Sequence, residues 1–258
     1  MIIRLLGERR AAAVTSRVER PDAVGVVIIM AAIAGIGWIV PPFWVAVAVA
    51  LELAIGGVGA VYLIGPVRAQ LGFARYVTLA TAGVSLALFG RVLPTSIGLL
   101  LLPVAALLLW AVLIVELRFL RAAAARWFLD LLLTVIFFAG SVGIVHLFGR
   151  ASWPLPLPLM AALAFVLALR GAEASGASGA PAVGRALLHV LAVAQLGAAL
   201  ALLDLPGVVD SAILALTFYV WGGVAGALLG GSTARSVAGE FGGLAILGLL
   251  VALLLHRG

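Results

Sequence analysis

Nine stretches of this sequence are apolar and near the length that crosses a lipid bilayer, and arginines occupy the segments between them. A helix needs about 20 apolar residues to cross roughly 30 Å of hydrocarbon. The sequence therefore predicts an all-α, polytopic integral membrane helix bundle of nine transmembrane helices, or eight if one short segment is re-entrant. The predicted spans are 22–40, 43–64, 76–93, 95–117, 126–148, 152–169, 185–204, 207–230 and 238–256.

The composition supports the membrane class. Of the 258 residues, 65% are hydrophobic and 10% are charged, whereas a soluble domain has about half apolar and about 25% charged residues. A packed core of this size cannot hide so much apolar surface from water, so much of it has to face lipid. Cysteine is absent, which excludes disulfides, thiolate metal sites and cysteine nucleophiles. Lysine is absent too, which excludes a retinal Schiff base.

The arginines predict the orientation in the membrane. Thirteen of the 16 arginines fall on the side of the N-terminus, and only Arg91, Arg150 and Arg257 fall on the other side. Basic residues accumulate in cytoplasmic loops. We therefore expect a multi-pass protein of a bacterial inner membrane, with a cytoplasmic N-terminus. An odd number of spans puts the C-terminus outside.

The same pattern divides the chain into four segments. Residues 1–21 are rich in arginine with interspersed apolar residues, which suits a basic amphipathic helix on anionic cytoplasmic lipid. Residues 22–170 form a predicted six-span bundle. Residues 171–184 are rich in glycine, serine and alanine, which predicts a flexible cytoplasmic linker. Residues 185–258 form a three-span segment.

Glu52 is the most informative single residue. It lies near the middle of the second span, with no other charge within ten residues on either side. A charged side chain at that depth is costly unless it is protonated or paired, so we expect Glu52 to face the bundle interior. Gln195 and His189 of the seventh span are its candidate partners and complete the candidate substrate or proton site. Two roles stay open for Glu52: a structural hydrogen bond, or the binding of a proton or substrate.

The eighth span carries glycines at four-residue spacing, Gly222, Gly226 and Gly230. Such a row forms a flat helix face that lets another helix approach closely in lipid. We expect these glycines to serve helix packing. The alternative is a sliding surface in a moving transporter.

The sequence offers no recognisable catalytic arrangement. It contains no nucleophile elbow, no phosphate-binding glycine loop and no zinc-protease helix motif. His146 and His189 lie at different predicted depths, which argues against paired haem ligands. Glu116 and Asp130 flank the arginine-rich segment 118–126 and are expected to balance its charge. We therefore expect no catalytic residues, no metal, no cofactor and no enzymatic activity.

Two functional classes remain. The first is a permease or flippase-like carrier of a hydrophobic or weakly polar substrate. The alternative is a non-catalytic subunit or scaffold of a larger membrane complex. A carrier needs polar groups that converge on a cavity near the midplane, whereas a subunit needs an apolar lateral groove.

The expected partners follow from the same features. They are the bilayer, anionic lipid at the N-terminal segment, and either a membrane-protein partner or a second copy in a homo-oligomer. Nucleic acid is not an expected partner, because the arginines lie in loops rather than on a soluble domain.

Overall fold

A computed structural model describes residues 21–65, 72–118, 123–149, 156–203 and 205–256. All regular structure in these ranges is helical. The basic segment predicted at the N-terminus lies almost entirely outside them. The helices are α1 (Pro21–Ile39), α2 (Pro42–Ile64), α3 (Ala74–Phe89), α4 (Thr95–Leu100), α5 (Leu102–Arg118), α6 (Ala123–Phe148), α7 (Pro156–Ala174), α8 (Ala180–Leu200), α9 (Gly207–Leu229) and α10 (Ala234–His256), with a 3-10 turn at Gly90–Val92.

Six helices in the described ranges are long and apolar enough to cross a membrane, namely α1, α2, α6, α7, α8 and α9. The chain therefore has the architecture of a multi-pass membrane protein. The third, fourth and ninth predicted spans do not correspond to any of these six helices. Helix α3 has only 16 residues, or about 24 Å at 1.5 Å per residue. The fourth predicted span is divided into α4 and α5, and α10 occupies the ninth.

The division between α4 and α5 has a local cause. Pro103 lies in the first turn of α5. Proline has no backbone N–H and its ring collides with the preceding helical turn, so α4 cannot continue through it. At the start of a new helix the missing N–H is harmless. The helix therefore stops at Leu100 and restarts at Leu102.

Proline and glycine also set the boundaries of α7 and α8. Helix α7 continues to Ala174, and α8 begins at Ala180 with proline in its first turn. The predicted linker over 171–184 is thus helical at both ends, with a short loop between them. Gly176 and Gly179 have φ values of 91° and 60°, which glycine adopts without the clash that a Cβ would cause.

The described helices form two compact units, residues 1–126 and 127–258. The first contains α1 to α5, and its most extensive helix pairing joins α2 and α3. The second contains most of α6 and all of α7 to α10, with α7 and α8 as its most extensive pair. The sequence pattern divides the chain after residue 170 instead. The pattern carries no information on which helices pack together, so it does not show that α6 and α7 belong with the helices that follow.

One arginine of the first unit closes the end of α1. Arg91 donates hydrogen bonds to the carbonyls of Gly37 and Trp38, each at 3.3 Å, and to that of Val40. The carbonyls of Gly37 and Trp38 are among the last of α1 and have no partner within it, and Val40 follows the end of the helix. The indole of Trp38 donates in turn to the Leu86 carbonyl at 2.8 Å. Arg91 thus has a structural role at this end of α1.

Candidate functional site

Glu52 lies at the centre of the first unit. It is residue 11 of the 23 in α2, and its exposed fraction is 0%. Its carboxyl group lies directly against Gly83 of α3, where any added Cβ would overlap it. The same space adjoins Met30, and the carboxyl lies beside the backbone of Ala34. Helices α1, α2 and α3 therefore enclose this side chain together.

Glycine makes this enclosure possible. A Cβ placed on Gly56, one turn along α2, would lie 2.6 Å from the Cα of Ala80 and 2.8 Å from Met30. Contacts that short do not occur, so α2 and α3 approach each other only because Gly56 has no side chain. Gly83 provides the matching space on α3. Two glycines thus form the pocket that holds one carboxyl group.

The Glu52 carboxyl has few polar neighbours in its pocket. The backbone of Ala34 lies close enough to interact with it, but neither oxygen makes a well-formed hydrogen bond with a described residue. Burial of a polar group without a partner costs about 1–3 kcal/mol. Such a carboxyl keeps the capacity to accept or donate a further hydrogen bond. The site is therefore chemically suited to hold a proton or to bind a polar group of a ligand.

His189 lies in the second unit. It is residue 10 of the 21 in α8, whereas the predicted span placed it near the inner helix end, because α8 begins five residues earlier than expected. The ring is 8% exposed. Its centroid lies 4.3 Å from that of Phe218, which stacks on Phe137 at 4.9 Å. Its Nε2 has no hydrogen-bond partner among the residues described.

Gln195 lies apart from His189. Both belong to α8, but Gln195 is exposed on the surface of the second unit and His189 is buried in it. The structure therefore does not bring these two side chains together. Glu52 belongs to the first unit, and a hydrogen bond from it to either residue stays a prediction.

The glycine row of α9 has three different environments. At Gly222 an added Cβ would lie 3.3 Å from Cε1 of His189, so this glycine makes room for the imidazole. At Gly226 no described atom lies within 4 Å of such a Cβ, and at Gly230 only carbonyls of α9 itself do. All three glycines are exposed in their unit. Packing of this row against a helix of a partner stays a prediction.

An apolar groove lies between α9 and α10. Its volume is about 340 Å³, and it is open rather than enclosed. The lining residues are all apolar, with Val220, Val224 and Leu228 on α9 and Ala234, Val237, Ala238, Phe241, Gly242 and Ala245 on α10. The groove was not predictable from the sequence, because its apolar lining residues do not differ in type from the apolar residues along the rest of these helices.

A buried ion pair was also missed. Nε of Arg75, in the first turn of α3, lies 3.9 Å from Oε2 of Glu116, near the end of α5, and each side chain is 1% exposed. The Arg75 guanidinium also donates to the backbone carbonyl of Glu116. Glu116 therefore pairs with Arg75, where we expected it to balance the segment 118–126. The predicted topology held one clue, since it puts both residues on the same side of the membrane.

The described ranges contain no group of three or more His, Cys, Asp or Glu side chains that could hold a metal ion. No protein-family model, no curated protein and no solved structure matches this chain. A proposal about function therefore rests on the chemistry of the residues described above.

Proposed function

We propose that this protein is a permease or flippase-like carrier of a hydrophobic or weakly polar compound, in which Glu52 binds the proton or the polar group of the substrate. The observation that carries this proposal is the fully buried carboxyl of Glu52, which has no basic or polar side chain as a hydrogen-bond partner among the described residues. An ionisable side chain at membrane depth marks a substrate or proton pathway unless it is paired. The surroundings of Glu52 are glycine, alanine and methionine, which suits a substrate with little charge.

We further propose nine spans in a bacterial inner membrane, with the N-terminus cytoplasmic and the C-terminus outside. The unequal distribution of arginine supports this orientation. Reporter fusions after residues 178 and 258 should report cytoplasmic and external positions, respectively. A cytoplasmic C-terminus would reduce the number of spans to eight.

Glu52→Gln should separate a functional carboxyl from a structural one. The amide keeps the shape of the side chain but cannot exchange a proton, so we expect unchanged melting in detergent and loss of ligand binding. A thermal-shift screen with neutral and weakly basic apolar compounds provides the measurement. A ligand at 100 times its Kd stabilises the native state by about 2.7 kcal/mol, and this stabilisation should be absent in Glu52→Gln.

Infrared spectroscopy gives a second measurement that needs no known substrate. The Glu52 carboxyl band, identified as the difference between wild type and Glu52→Gln, should shift after transfer into D₂O if the site exchanges protons with water. Asp22→Asn, which changes an exposed acid in the first turn of α1, is the control. A band that stays unshifted for hours, together with ligand shifts that Glu52→Gln retains, would contradict the carrier proposal.

The open face at Gly226 of α9 favours a second candidate, a non-catalytic subunit or scaffold of a larger membrane complex. No described atom lies within 4 Å of a Cβ placed there, and rows of small residues drive helix association in lipid.

Gly226→Leu tests the subunit candidate. Because no described atom lies near a Cβ at this position, the melting of the isolated chain should not change. Association with a partner or a second copy should weaken roughly tenfold, which corresponds to about 1.4 kcal/mol. Sedimentation in detergent and co-purification from membranes measure this. Gly57→Leu, at another glycine with open space, is the control, and equal association of both variants would contradict the subunit candidate.

A further inference from the structure

We infer that the groove between α9 and α10 binds one acyl chain of an anionic phospholipid, whose headgroup lies at Arg235. This lipid is distinct from the weakly polar compound proposed for the Glu52 site. The inference therefore does not rest on the carrier proposal.

The chemistry of the groove requires an apolar occupant. Its described lining residues carry no polar side chain, and Val224, Val237 and Phe241 are among them. A polar ligand would lose its hydration there without gaining hydrogen bonds. A hydrocarbon chain gains contact with these walls and has no hydrogen bonds to lose.

The size of the groove favours an acyl chain over a helix. A helix with its side chains is about 10–12 Å across, and it associates through a long face rather than through one depression. The volume of about 340 Å³ lies near the lower end of the range of small-molecule pockets, about 300–1,000 Å³. One chain of a lipid can enter the open groove while the second chain stays in the bilayer.

The basic residue Arg235 at one end of the groove favours an anionic headgroup. Arg235 is exposed and follows directly after Ala234, a lining residue. It also precedes Ala238, another lining residue, by three positions, so its side chain lies on the adjacent part of the helix surface. Ser232 and Thr233 are exposed in the preceding turn and add hydroxyl groups. A guanidinium suits a headgroup of net negative charge, whereas the ammonium group of a zwitterionic headgroup would be repelled by it.

The predicted topology agrees with this choice. Arg235 belongs to the arginine-rich side, which is the cytoplasmic side in our proposal. The cytoplasmic leaflet carries the anionic lipids. Each basic residue near its surface raises the affinity for such lipids about fivefold. A phosphatidylglycerol in that leaflet would place its phosphate at Arg235 and its chain along the groove.

Native mass spectrometry of the full-length, delipidated protein tests the inference. The protein is titrated with phosphatidylglycerol or with phosphatidylcholine of the same acyl chains. We expect one phosphatidylglycerol to bind about fivefold more tightly than phosphatidylcholine. Arg235→Gln should abolish this difference. Arg126→Gln, which removes another exposed arginine of the same predicted side, should preserve it.

Two adjacent glycines of α10 test the location. Gly242 lines the groove and Gly243 is exposed, and both have open space for a Cβ. Gly242→Phe should fill the groove and weaken binding of the first lipid at least tenfold, whereas Gly243→Phe should bind like wild type. Ala245→Phe is a second filling variant in case Gly242→Phe does not fold.

Three other outcomes would each overturn the inference. Equal lipid binding by the filling variants and by Gly243→Phe would show that the lipid lies elsewhere. Equal affinity of wild type for the two lipids would remove the role of Arg235. A dimer that excludes lipid, and that Gly242→Phe dissociates, would assign the groove to a second copy of the chain.

Discussion

Glu116→Gln is expected to lower the free energy of unfolding by about 3 kcal/mol, because the buried Arg75 guanidinium loses the carboxylate with which it forms an ion pair. Arg75 and Glu116 are each 1% exposed, so water cannot replace the lost carboxylate. Chemical unfolding in detergent micelles provides the measurement. Since the pair is buried, the loss should persist in high salt, whereas an exposed pair would be screened.

The double variant Arg75→Met, Glu116→Leu is the matched control. Removal of both charges leaves no guanidinium that lacks this carboxylate, and apolar replacements of buried pairs are often neutral or stabilising. We therefore expect the double variant to be clearly more stable than Glu116→Gln. A loss below about 0.5 kcal/mol in Glu116→Gln, as measured for exposed pairs, would mean that water reaches this pair.

Gly56→Ala is expected to destabilise the first unit by about 1–3 kcal/mol, the usual effect of overpacking a close contact. The added Cβ would lie 2.6 Å from the Cα of Ala80, and a backbone atom cannot move aside as the end of a side chain can. Helices α2 and α3 would have to separate. Thermal melting of the purified protein measures the effect.

Gly57→Ala provides a control of opposite sign. It makes the same substitution at the next position of α2, where no described atom lies within 4 Å of the added Cβ. Alanine is a better helix former than glycine by about 0.5–1 kcal/mol, so this variant should be neutral or slightly more stable. Equal melting of the two variants would mean that α2 and α3 are not in close contact at Gly56.

The sequence predicted the helical class and the approximate position of each helix, because hydrophobic length and proline position are local properties. It placed the start of α8 five residues too late. Gly179 and Pro181, which begin this helix, resemble a flexible linker in composition. The predicted spans also did not include the break at Leu101 between α4 and α5, although Pro103 indicates a helix start there. Both differences concern helix ends, where single residues decide the outcome.

The candidate site was predictable only in part. The isolation of Glu52 in a long apolar span indicated its importance, but Gly83 as its neighbour depends on the register between α2 and α3. No local pattern specifies that register. The pairing of Arg75 with Glu116 likewise joins residues 41 positions apart. Long-range contacts between helices require the packed structure.

The hydrogen bonds at the end of α1 bear on the order of biosynthesis. The carbonyls of Gly37 and Val40 receive their donor from Arg91, which follows them by 54 and 51 residues. The indole of Trp38 finds its acceptor 48 residues later. The first helix is therefore synthesised well before the groups that complete its C-terminal end. Until Leu86 and Arg91 have been added to the chain, the polar groups at that end have to take their hydrogen bonds from water or from other proteins.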